Sequence, residues 1–361
     1  MRPAVNMAGM GRFIFFSFLL LVSCRSDIQD RFRTTPSAIG KMQQLNLVVD
    51  SQLWQTSLRD SFAFYYQGAY LILPQPEPIY DVRVLEVDEL LEDPIKRELK
   101  LFFKIANLAD TNSTLTRMVI NDLGESRIEE SLQNSDFGVQ IVRDKWARGQ
   151  MIVYLYGKNI DALIDGTVRS FDRIHERIKE FYNTTIQAEV YGGGINRELT
   201  GLIRSKFNVN IDIPSNWVKA VEEDHFLWLR EEQKNASLSL LFTSIPYEEL
   251  EQLSREYLRN LRDSVTVEQI SSGKEGSYML VEDSFLPTFY FQYDLNGNYA
   301  IELRGIWDMY SDFMGGPFQS VLVLNEAENR LIFVDAFAYA PAENKRNHMI
   351  KLDYIIKTLD F

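Results

Sequence analysis

A single cysteine, Cys24, stands at the end of an apolar run near the start of the chain. The run, residues 13–22, follows the basic residues Arg2 and Arg12 and is interrupted by Ser17 alone. Its length suits the core of a signal peptide, about 7–15 residues, and is too short to span a bilayer. Because the chain has one cysteine, an exported form of it has no internal disulfide. The fold must therefore rest on side-chain packing.

The residues around Cys24 have the pattern of a bacterial lipoprotein signal. Leu21 lies three positions before the cysteine, and the small Ser23 lies directly before it. We predict that residues 1–23 are a signal peptide, and that Cys24 becomes the acylated N-terminus, carrying chains such as palmitate. Residues 24–35 are polar and are predicted to form a short lipidated tether. The alternative is an ordinary secretory signal in which the cysteine is incidental. The start codon is open between Met1, Met7 and Met10.

The composition predicts a folded, acidic chain. It has 361 residues, of which 45% are hydrophobic and 12% aromatic, enough for one large domain or two smaller ones. The formal net charge is −13, which repels nucleic acid and anionic lipid headgroups. We therefore predict no nucleic-acid partner, and membrane attachment through the acyl chains on Cys24.

The spacing of apolar residues predicts an α+β fold with two antiparallel-sheet units, each packed with helices. The N-terminal unit is predicted at residues 36–190 and the C-terminal unit at 205–361, with a linker at the glycines of 192–194. The clearest local signal is the Asn-Gly pair at 296–297, which favours a type I′ hairpin turn. Whether the two units are a duplication is left open. Predicted elements include strands at 45–50, 101–106 and 150–155 and amphipathic helices at 160–181 and 342–359.

Most signatures of catalysis and cofactor binding are absent from the sequence, so we predict no catalytic residue, cofactor or metal site. There is no nucleophile elbow and no phosphate-binding loop. His175 begins a zinc-like pattern, but Lys179 occupies the position of the second histidine. The acidic stretch 222–225 is predicted to be a solvated turn rather than a cation site. The acidic and amide residues of 294–298 are likewise predicted to form a hairpin rather than a calcium loop.

The densest group of unusual residues lies between Arg304 and Phe318. Arg304 stands in an otherwise apolar strand, so it needs a carboxylate partner, for which Asp335 is the candidate. One hypothesis makes this group the wall of a binding surface, because arginine and tryptophan are frequent at binding hot spots. The competing hypothesis is purely structural, with the same side chains closing one end of the sheet. The candidate binding residues are Arg304, Trp307, Met314, Gly315, Gly316 and Pro317.

Several motifs together resemble one known family. They are the lipoprotein signal, Pro36-Ser37-x-x-Gly40, Leu73-Pro74-Gln75-Pro76-Glu77-Pro78, Trp228-Leu229-Arg230, Gly276-Ser277-Tyr278-Met279, Arg304-Gly305-x-Trp307, Met314-Gly315-Gly316-Pro317-Phe318, Tyr339-Ala340-Pro341 and Lys345-Arg346. This set resembles a lipoprotein family of the Bacteroidetes that is known as a domain of unknown function. The resemblance covers nearly the whole mature chain and implies a location in the cell envelope. The family has no established activity, so the resemblance transfers no catalytic residue to this chain.

The sequence therefore predicts a lipid-anchored envelope protein that acts as a binding or assembly component without catalytic activity. We expect it at the outer membrane, facing the periplasm or the surface, with an envelope protein or polymer as its partner. The alternative is a hydrolase that cleaves envelope polymers through an Asp/Glu pair. Two carboxylates about 5–10 Å apart across a groove would favour the hydrolase. A shallow apolar patch without titratable groups would favour partner binding.

Overall fold

A computed structural model of the protein describes residues 35–361, and the predictions for the signal peptide, Cys24 and most of the tether lie outside this range. Among the described residues, no helix is long and apolar enough to cross a membrane. The strands are β1 (Gln44–Val49), β2 (Asp81–Leu85), β3 (Leu101–Asn107), β4 (Phe137–Arg143), β5 (Met151–Gly157), β6 (Val218–Glu222), β7 (Phe226–Glu232), β8 (Ser237–Pro246), β9 (Tyr278–Glu282), β10 (Phe289–Leu295), β11 (Asn298–Tyr310), β12 (Gly315–Asn325) and β13 (Arg330–Tyr339). The helices are α1 (Ser51–Trp54), α2 (Leu58–Tyr66), α3 (Val87–Glu92), α4 (Thr114–Leu123), α5 (Glu125–Ser131), α6 (Ile160–Arg169), α7 (Phe171–Tyr191), α8 (Arg197–Phe207), α9 (Arg255–Gln269) and α10 (Arg346–Ile356).

The first sheet has five strands in the order β2-β1-β3-β5-β4. All its neighbouring strands are parallel except the hairpin pair β4 and β5, so the prediction of an antiparallel first sheet is wrong. Helices connect β1 to β2 and β2 to β3, and such crossovers return the chain in the same direction. Runs such as Leu101–Ala106 are buried throughout, as in parallel sheets covered on both faces.

The second sheet has eight strands and is antiparallel, as predicted. Seven of them follow the order β10-β11-β12-β13-β8-β7-β6, and β9 pairs with the far end of β11. The hairpin between β10 and β11 turns at Asn296 and Gly297, with φ of 52° and 88°. These positive values are those of the predicted type I′ turn. The mixed class, with two sheets packed against helices, is therefore confirmed.

One hydrophobic core joins the two sheets. Phe103 of the first sheet and Val321 of the second belong to the same buried cluster, which α2, α7, α8 and α10 also enter. The outer face of the first sheet packs on α3, α4 and α5, and the outer face of the second packs on α9. Helices α7 and α10, one from each half of the chain, contact each other in the shared layer. The predicted division at 36–190 and 205–361 stays a prediction, but its two parts share this core.

Candidate binding cleft

A cleft of about 580 Å³ lies where the two halves of the chain meet. Its walls come from α7, α10, the edge strand β10 and the loop that follows α2, and its floor comes from β11. Cavities of this size are typical of small-molecule sites. The apolar lining residues are Ala69, Leu71, Ile79, Ile186, Phe291, Ile350 and Tyr354, and the polar ones are Gln43, Tyr70, His175, Lys179, Asn183, Gln292, Tyr293, Glu302, Arg304, Asp353 and Lys357.

Helical periodicity brings the wall residues to the cleft. On α7 the lining positions are 175, 179, 183 and 186, which form one stripe because residues three and four apart share a helix face. Along α10 and just beyond it, positions 350, 353, 354 and 357 form a second stripe. At the start of the first stripe, the Nδ1 atom of His175 lies 2.8 Å from the hydroxyl of Tyr80. Burial and the charge of Lys179 lower the pKa of His175, so its ring is neutral at pH 7.

The floor is a hydrogen-bonded network around Arg304. Its Nε donates to Glu302, and its Nη2 donates to Oδ1 of Asp353 at 3.0 Å. The amide of Gln319 donates to both carboxylates, at 3.1 Å to Glu302 and 2.9 Å to Asp353. Lys357 pairs with the second oxygen of Asp353. Because every charged group has a partner of opposite sign, the network holds the floor in one geometry.

The electrostatics of the floor favour the charged forms of Asp353 and Arg304. Burial alone would raise the pKa of Asp353, but the charges of Arg304 and Lys357 hold it below its usual value. Burial opposes the charge of Arg304, yet Asp353 and other neighbours raise the pKa of this guanidinium above its usual value. Burial raises the pKa of Tyr70 to about 12, so its hydroxyl stays protonated. Asp353 and Arg304 therefore stabilise each other in their charged forms.

The candidate binding residues of the sequence do not form one surface. Arg304 lines the cleft, whereas Trp307 is 1% exposed and packs on the opposite face of the sheet against Phe337. Positions 304 and 307 differ by an odd number, and side chains alternate along a strand, so they point to opposite faces. A side chain at Gly316 would meet the carbonyl of Ala338 at 2.0 Å, which gives this glycine a structural role. Met314, Gly315, Gly316 and Pro317 lie at the start of β12 or just before it, away from the cleft.

The predicted partner of Arg304 was wrong. Asp335 pairs with Arg262 of α9 at 3.0 Å, where both side chains are fully buried, and Arg304 pairs with Glu302 and Asp353. Asp335 stands opposite Ser320 in the sheet and Arg304 stands opposite Gln319, so the two face different sides. Sequence reasoning missed Asp353 although it lies beside the apolar stripe of a predicted helix, four residues after the buried Met349. An acidic residue at the border of such a stripe is the signal that could have found it.

The structure brings together one Asp/Glu pair in the cleft, Glu302 and Asp353. A hydrolase of the kind considered needs one carboxyl group whose pKa is raised so that it can donate a proton. The pKa of Asp353 is lowered, and Arg304 binds both carboxylates. This pairing suits a structural role on the cleft floor better than acid–base catalysis.

The remaining candidates for ion binding have local structural roles. Within residues 35–361, no group of three or more His, Cys, Asp and Glu side chains is placed to hold a metal ion. Asp294 accepts a hydrogen bond from the amide of Gly297, and Asn296 donates to the carbonyls of Lys357 and Leu359. These bonds stabilise the hairpin turn and tie it to the C-terminal segment. The stretch 222–225 lies at the turn between β6 and β7.

Both halves of the chain match domains of unknown function. Residues 38–190 match the family model described as domain of unknown function DUF8532, and residues 196–358 match the one described as DUF4837. No curated protein is similar in sequence to the chain.

Solved structures give distant similarities. The Ran-binding protein Mog1p of Saccharomyces cerevisiae has a TM-score of 0.29 and 8% identity, covering 42% of this chain and 89% of its own. LpqN, involved in cell envelope biogenesis of Mycobacterium tuberculosis, has a TM-score of 0.27 and 10% identity, covering 42% of this chain and 81% of its own. The human StarD13 lipid transfer and protein localization domain has a TM-score of 0.22 and 13% identity, covering 45% of this chain and 96% of its own. Scores this low carry no conclusion about function.

Proposed function

We propose that the protein is a lipid-anchored binding component of the cell envelope, and that it binds a ligand with an apolar body in the cleft between its two halves. The observation that carries the proposal is the cleft itself, about 580 Å³ in volume, with apolar walls above a fixed polar floor. Apolar walls supply affinity through the area removed from water, and a few fixed polar groups orient the ligand.

A cleft-filling variant tests the binding site. Asn183 is an exposed residue of α7 that lines the cleft, and Ala188 is an exposed residue of the same helix that does not. Asn183→Trp should weaken binding of a neutral, environment-sensitive dye by about tenfold or more, because the indole occupies ligand space. Ala188→Trp is the matched control and should bind as the unchanged protein does. Equal affinity in all three proteins would contradict the proposed site.

The proposed location depends on Cys24, the one cysteine of the chain. Supporting observations are the apolar run before it and Leu21 and Ser23 at the signal positions. Cys24→Ser should abolish labelling by a radiolabelled fatty acid and release the protein from the membrane fraction. Since no second thiol can be acylated, continued labelling of this variant would contradict thiol acylation at this residue.

A further inference from the structure

Two lysine ammonium groups in the cleft have hydrogen-bond donors beyond those that their ion pairs need. Lys179 of α7 and Lys357, just after α10, both line the cleft, and their side chains are 49% and 52% exposed. Each makes one ion pair, Lys179 with Glu176 at 2.9 Å and Lys357 with Asp353. An ammonium group has three donors, so donors remain for a ligand. Exposed ion pairs such as that of Lys179 are weak enough for a ligand anion to compete with them.

The cleft is less acidic than the chain as a whole. Its lining holds three cations, Lys179, Arg304 and Lys357, and two carboxylates, Glu302 and Asp353, and Glu176 beside the lining pairs with Lys179, whereas the whole chain has a formal net charge of −13. Arg304 is committed to the two carboxylates of the floor. The two lysines are therefore the groups left to meet a ligand, and charge complementarity selects an anion.

The apolar wall defines the rest of the ligand. Ile186, Ile350 and Tyr354 of the two helices face the same space as Leu71 and Phe291. Hydrocarbon is stabilised here by each methylene removed from water, whereas a compact polar ion would leave this wall without a partner. The occupant that satisfies both parts is a hydrocarbon chain with a charged end.

We propose that the ligand of the cleft is an anionic amphiphile, whose hydrocarbon lies against the apolar wall and whose charged end is bound by Lys179 and Lys357. This inference rests on the proposed function and specifies its ligand class. A carboxylate and a phosphate monoester both provide a negative charge at the end of a hydrocarbon chain. Comparing dodecanoate with dodecyl phosphate shows which of the two groups the cleft prefers.

The test is a competition experiment with the mature chain from residue 24, carrying Cys24→Ser so that no acyl chain of its own competes. Dodecanoate, dodecyl phosphate, dodecanol and dodecylammonium are each titrated as competitors of the neutral dye. At least one of the two anions should displace the dye at a concentration about tenfold below that of dodecanol. One charge-assisted hydrogen bond accounts for a difference of this size. In the double variant with Lys179→Met and Lys357→Met this advantage should vanish, so that the anions displace the dye no better than dodecanol does. Lys234→Met, at an exposed loop lysine outside the cleft, is the control and should keep the advantage.

The outcomes separate this inference from the proposed function. If dodecanol or dodecylammonium displaces the dye as well as both anions do, the ligand is not anionic, although the cleft remains a binding site. If the anions keep their advantage in the double lysine variant, the two lysines do not bind the charged end. If the dye binds equally to the Asn183→Trp variant, the proposed site fails, and the inference fails with it.

Discussion

Arg304 shows how one residue connects the two halves of the chain. Its guanidinium binds Asp353 of α10 at 3.0 Å and lies 3.4 Å from the hydroxyl of Tyr70, which belongs to the N-terminal half. The sequence predicted that Arg304 needs a carboxylate partner, and the structure provides two. The choice between Asp335 and Asp353 depends on which face of the sheet each occupies. That choice follows from strand register, which is not readable from a single strand.

Trp307 allows a direct test of the two hypotheses for the Arg304 to Phe318 group. The side chain is buried among the residues that pack between the second sheet and α9, on the face opposite the cleft. We expect Trp307→Ala to lower the free energy of unfolding by about 3–5 kcal/mol, because it leaves a large cavity in the core. Dye affinity per folded molecule should be unchanged, as measured by titration under conditions where the variant is folded. A stability loss below about 1 kcal/mol would contradict the buried role.

Because Lys104 is buried, the free energy of unfolding should depend on pH. It is fully buried in β3, where it binds Asp122 at 3.0 Å and lies 4.3 Å from the ring of Trp146. Burial lowers the pKa of Lys104 from 10.5 to about 8, against the opposing effect of Asp122. Between these two values the unfolded chain binds more protons than the native one, so stability rises with pH.

The Lys104→Met variant tests this dependence. From about pH 8 to about pH 9.5 the unchanged protein should gain about 1.5 kcal/mol from this group, measured by chemical denaturation at each pH. In the variant this increment should be missing, since Met does not titrate, and Asp122 keeps Lys145 as its partner at 2.7 Å. An identical pH profile in both proteins would mean that the pKa of Lys104 is not lowered in the native state.

At the scale of elements, α7 and α10 are the two helices that shape the cleft. The apolar stripes of both were predicted from their periodicity, because that signal is local. The predicted helix at 160–181 is in fact two, α6 and α7, separated at Ser170, whose hydroxyl bonds to the carbonyl of Gly166. The hairpin at 296–297 was also predicted, since its turn chemistry lies in two adjacent residues. The parallel order of the first sheet was missed, because it depends on crossovers between distant strands.

The start of α10 is held by a residue of the other half, Glu77. This buried carboxylate accepts hydrogen bonds from the backbone amides of Lys345 at 2.6 Å and Arg346 at 3.0 Å. It serves as a helix cap supplied by the proline-rich segment, favoured by the positive end of the helix dipole. The side chain of Arg346 in turn forms an ion pair with Asp81 of the N-terminal half at 2.7 Å.

We expect Glu77→Gln to lower the free energy of unfolding by about 1–3 kcal/mol, because one backbone donor then faces an amide NH₂ group. Dye binding should weaken as well, since α10 carries Asp353 and leads to Lys357. Glu92→Gln, at an exposed position at the end of α3, is the control and should change stability by less than about 0.5 kcal/mol. Equal stabilities of the two variants, measured by urea denaturation, would show that the cap does not hold α10.

At the scale of the whole molecule, the two halves form one packed body. Residues on both sides of the predicted linker, Val190, Leu199 and Ile203, belong to the core cluster that joins the sheets. The cleft lies at this junction, so its existence could not be predicted from either half alone. Sequence patterns indicate elements and their apolar faces, but not which faces from distant parts of the chain come together.

The shared core predicts that the described part of the chain unfolds in one cooperative transition. Units that bury each other's apolar faces expose those faces together, so they unfold together. The calorimetric and van't Hoff enthalpies of unfolding should therefore agree. Differential scanning calorimetry measures both. Two resolved transitions, one for each predicted unit, would show that the halves are independently stable.

The most direct test of the cleft as a binding site is native mass spectrometry of the mature protein purified from the cells that produce it. We expect a bound small molecule in the unchanged protein and in Ala188→Trp, and its loss from Asn183→Trp, because only the last variant fills the cleft. The released ligand should carry a hydrocarbon chain and a negative charge. Absence of any bound molecule, or equal retention in Asn183→Trp, would contradict a ligand-binding role for the cleft.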